Sequence, residues 1–336
     1  MTFPALCAKI ETEAIDMQKE ELLRILRQEG ESSGEALGRR FGVSRAAVSK
    51  AVAALRREGY EISSTPNRGY RLVSETDALS RSGILADLGD HPWAEHLRVF
   101  PIVDSTNDWL KAAAAEGAPH GTVAVADCQT GGRGRLGRRF DSAAGSGVYL
   151  SVLLRPACPA AELMTLTAQA AVAVRRAIHA ACGVRPGIKW VNDLLLGGKK
   201  ICGILTELSL EAESGLVAYA VVGVGINCNR TEFPPELAEI AGSILSQTGK
   251  RVDRCRLTAA LIRALSALPQ PDWLDEYRAA CVNLGQPVRL LAPGREPREG
   301  VAVDLGSQAE LLVRFSDGRI EAVNAGEVTL RPASIT

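Results

Sequence analysis

The sequence predicts a multidomain α+β protein in three units: an N-terminal winged helix-turn-helix, a central mixed-sheet α/β domain and a small C-terminal β-barrel. Three observations predict it. Between Lys19 and Leu72 apolar residues recur at helical spacing, then give way to two short strand-like runs around a turn. From Leu97 to Cys281 apolar strand-like runs alternate with helical periodicity, but without strict βαβ order. After Gln286 five short runs of strand character follow one another at regular spacing. At 336 residues the chain exceeds what one compact domain usually needs, and 46% hydrophobic content is enough for a sizeable core.

In the first unit Leu22, Leu23, Ile25 and Leu26 share one helical face. A short helix follows, then a turn at Gly42 and a second helix with Ser44 as its N-cap. Val48, Val52 and Leu55 form the core-facing stripe of that helix, and Gly59 stops it. Tyr60 to Val73 reads as two strands joined at Pro66-Asn67-Arg68-Gly69, the wing. Lys19 to Val73 holds eleven Lys/Arg and seven Glu, so 11 − 7 = +4 in a chain that balances 39 bases against 39 acids. Arg45, Ser49, Lys50 and Arg56 project off the stripe of the second helix toward a major groove, and Arg68 reaches the backbone from the wing. An ordinary solvated helix face would explain the basic helix alone; turn, spacing and wing together favour DNA binding. The expected divisions are an N-terminal arm (1–18), the winged unit (19–74), a polar linker (75–96), the central domain (97–282) and the C-terminal unit (283–336).

Within the central domain, Leu97–Val103, Gly121–Asp127, Gly147–Leu154 and Leu216 onward are expected strands, the last running into a glycine-lined bend. Gly187 to Leu208 reads as a hairpin turning at Gly197-Gly198. Ala161–Cys182 is expected as one long helix, and the helices are expected on one side of the sheet. A turn at Ser316-Asp317-Gly318 punctuates the C-terminal strands.

The eight cysteines include no CxxC pair and no accompanying histidine cluster, which argues against structural zinc and for small buried hydrophobes in a reducing compartment. No stretch approaches 18 apolar residues, and the N-terminus lacks the pattern of a signal peptide, so a cytoplasmic location is expected.

One segment stands apart. Gln129 to Phe140 (QTGGRGRLGRRF) packs four glycines and four arginines into twelve residues, between two apolar strands. Glycines let backbone N–H groups approach an anion, and arginines offer paired donors to phosphate or carboxylate. The segment is neither a P-loop nor a Rossmann turn. Around it stand Ser105-Thr106-Asn107, Lys189 to Asp193 (KWVND), Gly198 to Glu207 (GKKICGILTE) and Gly223 to Asn227 (GVGIN). By spacing alone, Ser-Thr-Asn after a strand is first of all a helix cap.

These motifs, in this order and behind a winged helix, resemble the bifunctional biotin protein ligase/biotin operon repressor family from about Lys19 to Arg331. The resemblance implies a central domain of the class II aminoacyl-tRNA synthetase/biotin synthetase type and an SH3-like C-terminal barrel. It implies that Ser105, Thr106, Asn107 and Gln129 hold biotin's ureido head and that Arg133, Gly134 and Arg135 fold over biotin and its adenylate. Lys200 then meets the biotin carboxylate and the transferring phosphate. Gly132, Phe140, Lys189, Asn192 and Asn227 lie near ATP, and Asp193 is the candidate Mg²⁺ ligand. Phe140 stands where the family often has Trp, and Val191 where it usually has Pro. The implied partners are a biotin carboxyl carrier protein, operator DNA and a second copy of the chain once adenylate is bound. A lipoate or other acyl-adenylating ligase, and a ligand-sensing repressor without catalysis, are the alternatives.

Overall fold

The computed structural model describes residues 19–66, 68–211, 213–270, 272–291, 296–324 and 327–330. The expected arm, 1–18, and Asn67 of the wing turn lie outside the described residues. Helix α1 (residues 19–29) buries Leu22, Leu23, Ile25 and Leu26. They close over Val48, Val52 and Leu55 of α3 (Arg45–Arg57), across α2 (Gly34–Phe41). Helices α2 and α3 both start at serine caps: Ser33 accepts from the Ala36 amide at 3.1 Å and Ser44 from the Ala47 amide at 3.2 Å. Gly42 closes α2 with a left-handed φ of 66°. The wing is β2 (Glu61–Thr65) and β3 (Gly69–Ser74); a short β1 (Glu31–Ser32), unforeseen from the sequence, pairs with β3.

Residues 75–96, expected as a polar linker, carry helix α4 (Arg81–Leu88), with Ile84, Leu85 and Leu88 buried. Its apolar residues join the central core, so this segment is part of the packed molecule. Arg27 of α1 donates to Glu75 at 2.8 Å and Asp87 at 3.1 Å, and Arg81 pairs with Glu20 at 2.6 Å. The winged unit is thereby tied to the segment that bears α4.

The central sheet has seven strands: β4 (Leu97–Val103), β5 (Val123–Gln129), β6 (Gly147–Leu154), β7 (Gly187–Lys189), β8 (Asp193–Leu196), β9 (Lys199–Leu210) and β10 (Val217–Asn227). Their order is β4-β5-β6-β10-β9-β8-β7, with β4 and β5 parallel and every other neighbouring pair antiparallel. Gly197 and Gly198, both at positive φ, make the tight β8–β9 turn. All eight residues of β6 are buried, because both faces of the sheet are covered. Val123, Val125, Val152 and Val222 share a core with α6 (Leu166–Cys182) and α9 (Arg254–Ser266). Their neighbours Ala124, Leu153 and Val221 point the other way, onto Leu110 and Ala114 of α5 (Thr106–Ala115). Helices therefore lie on both faces, not one: the alternation along each strand leaves two apolar faces, and the β4–β5 crossover fills the second. The expected long helix is also split, a 3₁₀ turn at Ala160–Leu163 preceding α6. Short helices α7 (Pro235–Ala238) and α8 (Ile244–Thr248) follow the sheet, and α10 (Trp273–Ala280) leads into the last unit.

That unit is a five-stranded antiparallel sheet of β11 (Pro287–Leu291), β12 (Arg298–Leu305), β13 (Leu311–Phe315), β14 (Ile320–Val323) and β15 (Glu327–Leu330), ordered β14-β13-β12-β11-β15. The strands fall where expected. The closed barrel is not formed among the described residues, because β14 pairs only with β13 and β15 only with β11, leaving two open edges. No helix among the described residues is long and apolar enough to cross a membrane.

Candidate active site

A cavity of about 260 Å³ opens on the α5 side of the sheet, between the N-terminus of α5, the arginine-rich loop and the ends of β7 to β10. Its floor is neutral and polar. Ser105 caps α5, accepting from the Asp108 amide at 3.3 Å, so the capping role expected from spacing alone is present. The amide and hydroxyl of Thr106 donate to Gln129 Oε1 at 2.8 and 3.1 Å, and Gln129 Nε2 donates to Ser142 Oγ at 3.0 Å. Ser151 Oγ lies 2.6 Å from Asn107 Oδ1, which can only accept, so the serine donates there. Ser105, Thr106 and Asn107 are all buried.

Two glycines make the room. Gly223 and Gly225, expected in a bend, lie inside β10, paired with Leu205 and Gly203 of β9. A Cβ on Gly223 would come within 2.1 Å of Asn107 Oδ1, and one on Gly225 within 2.6 Å of the Phe140 ring. Glycine here provides clearance, not a change of direction. Phe140 rests on the bare backbone of Gly225 and Gly203 and meets Tyr149 edge-on, ring centres 6.3 Å apart.

The opposite end is charged. A β-bulge in the β8–β9 ladder, between Leu194 and Leu195, turns Lys200 onto the face that carries Gly203 and Asp193. Lys200 Nζ consequently sits 2.7 Å from Asp193 Oδ1. This is an ion pair by distance without proper hydrogen-bond angles, so the buried Oδ1 keeps unused acceptor capacity. Arg135 Nη1 donates to Asn192 Oδ1 at 3.1 Å, and Asn192 Nδ2 to Ile204 O at 3.0 Å. Asn227 Nδ2 is fixed on Gly242 O at 3.0 Å, and Lys189 lines the same wall. The Trp190–Val191 peptide bond is cis.

The arginine-rich loop closes the mouth. It leaves β5 at Gln129, turns through a 3₁₀ segment at Arg135–Gly137 and returns with Phe140 N donating to Gly132 O at 2.9 Å. Arg133 pairs with Asp108, and Arg133, Gly134 and Arg135 line the cavity. Every ligase residue singled out from sequence lines this cavity except Gly132, which sits buried beneath the loop against Phe140 O and Ser142. Sequence reasoning missed Ser142, Ser151, Asp108 and Lys111, and it gave Glu207, the last residue of the GKKICGILTE motif, no role of its own. Ser151 lies in an otherwise apolar strand that also carries Tyr149, and a small hydroxyl residue inside such a run was its available signal. Arg45, Ser49, Lys50 and Arg68 lie apart on the winged unit, all exposed. Arg56 differs: its Nε and Nη2 donate to Ile62 O at 2.9 and 2.6 Å, which ties it to the wing instead of to a groove.

Among the described residues no group of three metal-ligating side chains occurs. Residues 99–227 match the Biotin/lipoate A/B protein ligase family, residues 18–71 an HTH domain and residues 284–331 the Biotin protein ligase C terminal domain. The chain is 40% identical over 240 residues to the bifunctional ligase/repressor BirA of Bacillus subtilis, covering 70% of this chain and 73% of that protein. It is 32% identical over 308 residues to the bifunctional ligase/repressor BirA of Escherichia coli, covering 90% and 93%. Its fold is similar to that of the biotin protein ligase from Aquifex aeolicus in complex with biotin and ATP, at a TM-score of 0.59 and 30% identity over 70% of this chain and 99% of that one. With its order of domains, its loop and its polar cavity accounted for, the chain belongs to the bifunctional biotin protein ligase/biotin operon repressor family.

Proposed function

We propose that this chain activates biotin with ATP to biotinyl-5′-AMP, transfers biotin to a lysine of a biotin carboxyl carrier protein, and represses a biotin operon in response to the same adenylate. The observation that carries the reading is one cavity with a neutral hydrogen-bonding floor and a cationic mouth. A urea needs the first and a carboxylate meeting a phosphate needs the second. Ser105, Thr106, Asn107 and Gln129 hold the ureido head. Arg133, Gly134, Arg135 and Lys200 hold the carboxylate and the α-phosphate. Gly132 shapes the loop beneath them. Phe140, Lys189, Asn192 and Asn227 take the nucleotide.

The biotin carboxylate attacks the α-phosphate and pyrophosphate leaves. Negative charge gathers at phosphorus, so the preset cations of Lys200, Arg133 and Arg135 favour the transition state. A lysine amine of the carrier then attacks the acyl carbon of the anhydride and AMP leaves. No protein nucleophile is needed; the loop's task is to exclude water meanwhile. Asp193, with acceptor capacity to spare, would hold Mg²⁺, in the common arrangement of one or two carboxylates plus substrate phosphates. Bound there, the ion would neutralise phosphate charge.

The winged unit presents Arg45, Ser49 and Lys50 to the major groove and Arg68 to the backbone. Dimerisation on adenylate binding is proposed through the sheet edge: β4 is an outer strand, and Ile102 on it is 64% exposed. The C-terminal unit, whose short antiparallel strands we read as SH3-like in type though open at both edges, assists ATP use. Trp190 Nε1 donates to Ala309 O at 2.7 Å, which braces the turn bearing Asn192 and Asp193. The site of action is the cytoplasm, and the working units are the winged helix (19–74), the central domain (97–282) and the C-terminal unit (283–336), with 75–96 packed onto the central core instead of forming a free linker.

Incubation with biotin, Mg·ATP and a carrier domain, followed by peptide mass spectrometry, tests the reading. One biotinylated carrier lysine is expected. Lipoate used in biotin's place, or no modification, would overturn it.

A further inference from the structure

Behind the polar floor stands a charged layer that adenylation and transfer leave unused. Asn107 Nδ2 donates to Glu207 Oε2 at 2.7 Å, and Lys111 Nζ donates to Glu207 Oε1 at 2.7 Å. Lys111 also meets Asp108 at 2.8 Å, and Asp108 pairs with Arg133. Chains of side chains thus run from the pocket amide to the first arginine of the loop.

The chemistry of the partners fixes the amide. Glu207, ionised, can only accept, so it selects the NH₂ end of Asn107. Ser151 serves the carbonyl end at 2.6 Å. Rotating the amide by half a turn would set its oxygen against a carboxylate. Lys111 ensures that this carboxylate stays charged: burial pushes it up, but the bonds from Lys111 and Asn107 prevail and hold it below the ordinary value.

We propose that Glu207, held by Lys111, is a positioning residue that orients the Asn107 amide and so makes the pocket select an acid with a cyclic urea head. This rests on the proposed function and deepens it. A pocket built to hydrogen-bond a polar head rejects heads that lack it, because its own groups are then left unpaired. Lipoate, with a dithiolane in place of the urea, is such a head. Discrimination between the two acids therefore depends on which way Asn107 faces.

The test is pyrophosphate exchange by the full chain with biotin or lipoate as the acid. In Glu207→Gln, Lys111 claims the new side-chain oxygen, leaving an NH₂ against Asn107, which must rotate. The biotin KM is expected to rise about tenfold, the ATP KM and kcat to stay within about twofold, and the preference for biotin over lipoate to narrow. In the double variant Glu207→Gln/Lys111→Met the glutamine is free to offer its oxygen to Asn107, and the biotin KM is expected to fall back toward wild type. An unchanged biotin KM, an equal loss for both substrates, or no recovery in the double variant would overturn the proposal.

Should Glu207→Gln not fold, Lys111→Met alone decides. The charged groups facing Glu207 are Lys111 and Asp108 of α5 and Arg133 of the loop. Without Lys111, the acid limb of kcat/KM for biotin is expected to move to higher pH; an unmoved limb overturns the proposal. Wild-type protein that forms no adenylate from biotin would overturn the proposed function itself, whereas active wild type matched by its variants overturns this inference alone.

Discussion

Gly223 lacks a side chain because Asn107 occupies the space one would take. Gly223→Ala is expected to push the amide off Ser151, to weaken biotin binding and to destabilise the fold by about 1–3 kcal/mol; titration calorimetry and urea unfolding read the two effects. Arg135, tied to Asn192 at the loop's turn, has a different role. Arg135→Ala is expected to let adenylate escape and label lysines indiscriminately, and adenylate retained as tightly as in wild type would remove the lid role. Glu207 sets an acid limit. Its carboxyl lies below the ordinary 4.5, so its contribution is complete above that value and is lost only as pH falls through the depressed one. Glu207 should accordingly add no rise in the biotin KM at or above pH 4.5; a rise beginning near neutrality that Glu207→Gln abolishes would contradict the pairing. At this scale the sequence was most legible where a motif concentrated unusual residues. Ser151 stayed hidden because it sits in a strand whose other residues are chosen for packing, and Glu207, though it ends the GKKICGILTE motif, showed no role because its partners Asn107 and Lys111 lie on a distant helix.

At the scale of elements, the strands were readable because apolar runs bounded by glycine pairs leave little choice, as at Gly197-Gly198. The misreadings have one cause: an isolated segment does not say what packs on it. Gly223 and Gly225 looked like a bend because a strand gains nothing from glycine unless another group needs the clearance. Residues 75–96 looked like a linker because α4 shows its apolar side only against α9. The same junction holds a buried hub. Arg254, 3% exposed, donates to Asp77 at 3.1 Å, Asp127 at 2.5 Å and Gly147 O at 3.1 Å, while Asn229 donates to Asp77 at 3.2 Å. The segment after the wing is thus joined to both strands that anchor the arginine-rich loop. Arg254→Leu leaves Asp127 without its cation and Asp77 with Arg251 alone, and should cost about 3 kcal/mol, the low end for a broken buried pair because both carboxylates retain some solvent contact. Chemical denaturation measures it, and a loss under about 1 kcal/mol would mean the hub is not structural.

At the scale of the molecule, the winged unit carries +4 while the rest of the chain carries 28 − 32 = −4, so the positive charge is concentrated where DNA would bind and operator affinity should depend steeply on salt. Lys50→Ala is expected to lower the log–log salt slope by about 0.9 if Lys50 neutralises one phosphate; an unchanged slope would place that side chain off the DNA. Adenylate, by ordering the loop near the sheet edge, is expected to tighten self-association, and sedimentation with and without it distinguishes this from an indifferent edge. All of this presupposes that one cavity brings an acid and a nucleotide together. The most direct test is isotope exchange between pyrophosphate and ATP. Exchange that appears on adding biotin and not on adding lipoate is the expected result. Exchange that is absent, or indifferent to biotin, would contradict the account.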